Sequence, residues 1–141
     1  MDVRKVTADG NCMFRAATVA SSKDAFYHMS PEVERETARK LRLDVVKFIS
    51  EHETEFKPYM DLEDQSFEEY TERMKGVAWG GEPELCAIAE VKKCPVHVFE
   101  QNGDRFQVYR SYTPTIRSDT ANEICILFDF DLRHYNALLR E

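Results

Sequence analysis

The hydrophobic period of this chain changes once, near Pro95, and that change limits the folds open to it. Up to Lys93 apolar residues recur at helical spacing. Beyond Pro95 they fall into short alternating or wholly apolar runs. Helices first and strands second describe an α+β fold with a mostly antiparallel sheet, because βαβ units would interleave the two patterns.

The start and stop signals place the elements. A helix is expected over Met13 to Ala20, and the polar stretch Ser22 to Met29 reads as a loop. Ser30-Pro31-Glu32 is a strong helix start, with a capping hydroxyl, proline in the first turn and an acid beside it. Val33, Thr37, Leu41, Val45, Phe48 and Ile49 then form the expected buried stripe, to about His52. Ser66-Phe67-Glu68-Glu69 opens a second helix, ending at Met74 before Gly76, and Glu82-Pro83-Glu84 opens a third to Lys93. Strands are expected over Pro95 to Glu100, Arg105 to Arg110, Glu123 to Phe128 and His134 to Leu139. Asn102-Gly103 is the best hairpin signal, Glu123 to Phe128 is apolar enough for a central place, and Ser111 to Ala121 reads as a loop.

With 141 residues, 43% of them hydrophobic, the chain is expected to form one domain, residues 1–141, with a core that needs no staples. Its four cysteines, at 12, 86, 94 and 125, are too scattered for a disulfide frame. No apolar run has the length of a membrane span, and the first twenty residues lack a signal peptide's apolar core. A cytoplasmic or nuclear protein is therefore expected, with no membrane partner. The net charge of −7 argues against nucleic acid as a partner. Much of the acid lies between Glu51 and Glu72, where nine carboxylates face one lysine. That block is either a solvated helical face or a docking surface for a basic protein.

Chemistry concentrates at three places. Asp9-Gly10-Asn11-Cys12 runs into the first helix, where unpaired N–H groups and the helix dipole favour a thiolate, and the turn offers N–H groups to an oxyanion. Most lone cysteines are small buried hydrophobes, and Cys86, Cys94 and Cys125 fit that description. Cys12 follows Gly and Asn, which make a poor core strand and a good turn. Among four histidines, only His134 has a polar residue at the useful offset: on a strand, Asn136 lies on the same face and would orient the ring, with Tyr135 turned toward the core. Trp79-Gly80-Gly81 reads either as a turn anchored by the chain's single Trp or as a side-chain-free shelf for an extended peptide. Cys94-x-x-His97 has metal-ligand spacing but lacks a second pair, so no metal or other cofactor is expected.

Taken together, Asp9-Gly10-Asn11-Cys12-Met13-Phe14-Arg15-Ala16, Trp79-Gly80-Gly81-Glu82-x-Glu84-Leu85 and His134-Tyr135-Asn136 resemble the signature blocks of the ovarian tumour (OTU) family of deubiquitinating cysteine proteases, over residues from about 5 to 139. The resemblance implies a papain-like fold, helices packed around a small sheet. It implies Cys12 as nucleophile, His134 as general base, Asn136 as its orienting partner and Asp9 as a further support. Asp9, Gly10, Asn11 and Cys12 would form the oxyanion hole; Trp79, Gly80, Gly81 and Tyr135 would hold the substrate's tail. Ubiquitin or polyubiquitin would be the substrate, the enzyme a monomer, and the loop from Ser111 to Ala121 a variable substrate-contacting segment. Eleven residues precede Cys12, fewer than many members carry, so a trimmed catalytic core or a minimal member is expected. The rival reading is a silent ubiquitin-binding domain, which would be expected to have lost Cys12 or His134. An unrelated metal or scaffold domain would need all three blocks to coincide by chance.

Overall fold

A helix buried on every side organises the molecule. In the computed structural model, which describes residues 1–119 and 122–140, all eight residues of α1 (Cys12–Val19) are buried. A strand, β1 (Asp2–Arg4), precedes it, and α2 (Lys23–His28) and α3 (Pro31–Glu51) follow. A short helix, α4 (Glu53–Phe56), leads through a 3-10 turn (Lys57–Tyr59) to α5 (Phe67–Met74) and α6 (Glu82–Lys92). The remaining strands are β2 (Val96–Asn102), β3 (Arg105–Tyr112), β4 (Ile124–Asp129) and β5 (His134–Leu139).

The strands form one sheet in the order β1-β5-β4-β2-β3. β2 and β4 run parallel and every other pair is antiparallel. The apolar run 124–127 therefore occupies the centre, as its lack of alternation requires. α1 lies against β5 and β4, α6 against β2 and β3, and α3 packs behind both helices. The main core fills the space between these helices and the sheet. A smaller cluster of Phe99, Cys125, Leu127 and Leu138 lies apart from it. Gly103, at φ +62°, opens the two-residue turn after the Asn102–Arg105 pair, one residue later than the Asn102-Gly103 signal placed it.

Three expectations are corrected, and two short elements were not expected. The stretch 22–29 holds a helix, not a loop. Ser22 Oγ accepts from the Ala25 N–H at 3.0 Å, and Arg4 donates to the carbonyls of Ala25, Phe26 and Met29 at 3.1, 2.9 and 2.8 Å. Such a polar segment becomes helical because a distant arginine closes its C-terminal end. The buried face of α3 is rotated from the expected stripe: Val33 is exposed, while Glu34, Ala38, Leu41, Arg42, Val45, Val46 and Ile49 are buried. Two of these seven are charged, so apolar periodicity misplaced the face. β1 carries too few residues for a period, and α4 too few for a stripe. β3 extends to Tyr112, so the expected loop begins later, and its last two residues lie outside the described ones.

Candidate active site

The site forms where the N-terminal segment crosses the open half of β5. β1 pairs only with Ala137–Leu139, so the edge of β5 before Ala137 has no strand beside it. There α1, which opens with Cys12, packs against β5, and the Tyr135 backbone N–H is near enough to favour the Cys12 thiolate. Two segments more than 120 residues apart thus meet, with the thiol against the residue that follows His134.

The base side is small and well defined. His134 is 7% exposed, and its Nε2 lies 2.9 Å from Asn136 Oδ1. That same Oδ1 accepts from the Val6 N–H at 3.1 Å, which fixes it as the amide's oxygen. Nε2 then carries a proton toward Asn136, and in the neutral tautomer Nδ1 keeps its lone pair. Nδ1 is buried and has no hydrogen-bond partner among the described residues. The neutral ring therefore keeps a base available on the side away from Asn136. Tyr135 is half-buried, with its ring 4.7 Å from that of Phe128 and its hydroxyl pushed up to about 12 by burial.

Buried charge builds the nucleophile side. Asp9 Oδ1 accepts from the Asn11 N–H at 2.9 Å, and the Asp9 carbonyl accepts from the Cys12 N–H at 3.2 Å. Arg15 donates to Asp9 through Nε and through a terminal nitrogen, the latter at 3.0 Å, and to Glu34 at 3.1 Å. Glu34 also receives Arg4 at 3.2 Å. Arg42 reaches Asn11 Oδ1 at 2.7 Å and the Gly10 carbonyl at 2.6 Å. Gly10 is obligatory for a plain reason: a Cβ there would fall 1.8 Å from the Val77 carbonyl oxygen.

Two expectations for this turn need correction. Its N–H groups at Asn11 and Cys12 are not free, since both already bind Asp9, so an oxyanion must displace at least the Asp9 carbonyl. The Cys12 thiol is also not depressed. Burial pushes it up, and the Asp9 charge adds to that, while the Tyr135 and Met13 N–H groups pull the other way. The helix N-terminus favours a thiolate, but at 2% exposure desolvation wins.

The third block lies beside the first. Trp79 is 55% exposed, which removes the alternative of a turn anchored to the core by this Trp. Gly80 abuts Met13, where a Cβ would stand 2.8 Å from the sulfur. The Gly81 N–H donates to Glu84 Oε1 at 2.6 Å, and Glu84 is 3% exposed with Oε2 unpartnered among the described residues. Burial raises its carboxyl above the ordinary range. Elsewhere, Cys94 and Cys125 are buried and Cys86 is half-buried. His97 is held between Ser111 Oγ and Glu123 Oε1, each at 2.7 Å. All nine carboxylates of the acidic block are exposed.

Sequence reasoning missed Arg15, Glu34 and Arg42. No local signal marked them, because Arg15 lies on a helix buried all round and Glu34 and Arg42 lie on the face of α3 that apolar periodicity misplaced.

Comparison with known proteins fits this geometry. The chain is 31% identical over 110 residues to OTU domain-containing protein 2 of Saccharomyces cerevisiae, covering 74% of this chain and 34% of that protein. It is 29% identical over 103 residues to the OVARIAN TUMOR DOMAIN-containing deubiquitinating enzyme 3 of Arabidopsis thaliana, covering 69% and 44%. It thus spans less than half the length of either relative. The fold is that of the OTUD1 OTU domain (TM-score 0.73, 19% identity, 96% of this chain and 83% of that one). It is likewise that of an OTU deubiquitinase from Wolbachia pipientis wMel bound to ubiquitin (TM-score 0.66, 18% identity, 98% and 94%). With residues 7–135 matching the family described as OTU-like cysteine protease, the chain belongs to that family.

Proposed function

We propose that this chain is a cysteine-dependent deubiquitinase, cleaving isopeptide bonds after the C-terminal glycine of ubiquitin. The observation that carries this reading is the packing of α1, which opens with the buried Cys12 thiol, against β5, whose His134 is already oriented by Asn136 at 2.9 Å. Ubiquitin-bound solved structures of the same fold support the choice of substrate.

In this mechanism His134 Nδ1 takes the Cys12 proton, and the sulfur attacks the glycine carbonyl. The electron pair moves to oxygen, which the Cys12 N–H and its neighbours in the turn receive once the Asp9 carbonyl turns aside. Collapse of the tetrahedral intermediate breaks the C–N bond, and His134 gives its proton to the departing lysine amine. Water, deprotonated by the same ring, then hydrolyses the thioester and regenerates the thiol. Asn136 holds the ring throughout, and Asp9 shapes the turn. Gly80 and Gly81 admit a tail ending in two glycines, with Trp79 and Tyr135 flanking it.

Ubiquitin carrying a C-terminal electrophile tests this reading. A covalent adduct at Cys12, lost in Cys12→Ala, is the expected result. Folded protein that binds ubiquitin without forming the adduct would instead be a silent binding domain.

A further inference from the structure

Arg42 heads the fully buried side chains by size, at 1% exposed. A guanidinium taken out of water is tolerated only if its donors are satisfied. A carboxylate would be the ordinary partner, yet among the described residues no hydrogen bond joins Arg42 to one. Its donors go to Asn11 Oδ1 (2.7 Å), the Gly10 carbonyl (2.6 Å), the Ala78 carbonyl (2.7 Å) and the Met74 carbonyl (2.9 Å). The Phe14 ring covers it at 4.5 Å.

These acceptors belong to two segments that the fold must keep in register. Residues 10–11 lead directly into Cys12, and residues 74–78 lead directly into the Trp79-Gly80-Gly81 shelf. The carbonyl and N–H of one peptide unit point in opposite directions. Fixing the Gly10 carbonyl on Arg42 therefore directs the Asn11 N–H away from it, onto Asp9. The same guanidinium grips the Asn11 side chain, so the residue before the thiol is held on both sides. Gly10 can lie this close to Val77 only because it has no Cβ.

Given the proposed function, we infer that Arg42 is a positioning residue, the clamp that sets the thiol-bearing turn at a fixed offset from the substrate shelf. The planar fork makes this possible. A lysine ammonium, a compact charge with three donors, does not span the same four acceptors. Arg42→Lys thus keeps the charge and loses the register.

The experiment compares wild type with Arg42→Lys and Arg42→Met, each first shown to be folded by circular dichroism and thermal melting. Hydrolysis of a fluorogenic ubiquitin conjugate and alkylation of Cys12 by iodoacetamide are then measured. Misplacement of reacting groups by about 1 Å costs on the order of 10² in rate, so kcat should fall by about that factor in both variants. KM should change by less than about threefold, because the rest of the substrate surface is untouched. Alkylation, which needs the Cys12 thiolate but no register with the substrate shelf, should stay within about threefold of wild type in Arg42→Lys, which keeps the positive charge. Arg42→Lys with kcat near wild type, or a loss of kcat matched by the same loss of alkylation, overturns the inference. Amide hydrogen exchange separates this from a failure of the functional reading. Should wild type not act on ubiquitin at all, Arg42→Lys must still raise exchange at residues 10–12 and 75–78 about tenfold. Unchanged exchange there overturns the clamp by itself.

Discussion

The two sides of the candidate site are built by opposite means. The base side is a local arrangement on a strand, with His134 and Asn136 two residues apart and one long-range hydrogen bond from Val6. The nucleophile side is almost wholly long-range. Its turn is held by Asp9, Arg15, Glu34 and Arg42, with Gly10 pressed against Val77. A strand can present two side chains on one face by its own geometry. A four-residue turn cannot hold itself against solvent, so helix α3 supplies buried charge to fix it. The nucleophile side should therefore be the more fragile of the two.

The contrast can be broken most directly at Gly10. Gly10→Ala puts a carbon into the Val77 carbonyl, so stability should fall by about 3 kcal/mol or more, read by chemical denaturation. Glu34→Gln comes next, because it leaves Arg4 and Arg15 facing a neutral group. A loss of about 2–3 kcal/mol is expected, together with reduced activity from the loosened Asp9 turn. No change in either variant would mean the turn supports itself.

The base side should respond in activity and much less in stability. Asn136→Ala removes the orienting acceptor of His134 and the partner of the Val6 N–H. Stability should fall by only about 1 kcal/mol, while kcat drops by roughly 10²-fold. A loss of stability without loss of activity would show that Asn136 serves the fold alone.

Base titration sharpens the comparison further. Burial raises the thiols of Cys12, Cys94 and Cys125 and the Tyr135 hydroxyl. In the unfolded chain these groups lose protons at their ordinary values, whereas the folded protein keeps them. These groups leave stability unchanged between pH 7 and about pH 8 and lower it above about pH 8.5, as the unfolded state alone ionises. Denaturation midpoints between pH 7 and 10 check this. The smallest effect belongs to Trp79→Ala. At 55% exposure it should alter stability by less than about 0.5 kcal/mol. Its consequence should appear as a raised KM for a ubiquitin substrate.

Much of the fold and site was legible before any coordinates. α3, α5 and α6 carry capping residues within their own sequence, and the central place of β4 follows from its unbroken apolar run. His134 and Asn136 were readable because strand alternation is local. α2 was not, since its carbonyls are closed by Arg4 from another element. Nor was the state of Cys12: its position at a helix start suggests a lowered thiol, but burial, a property of the packed chain, raises it.

The amino-acid order by itself determined the types of α1, α3, α5, α6 and β2 to β5, the sheet's central strand and the three blocks that hold the chemistry, because period, caps and turn residues act within a few positions. Tertiary structure alone decided which buried charges hold the turn and which nitrogen of His134 stays bare. Those outcomes depend on hydrogen bonds and desolvation between segments 19 to 130 residues apart, and no local pattern encodes them.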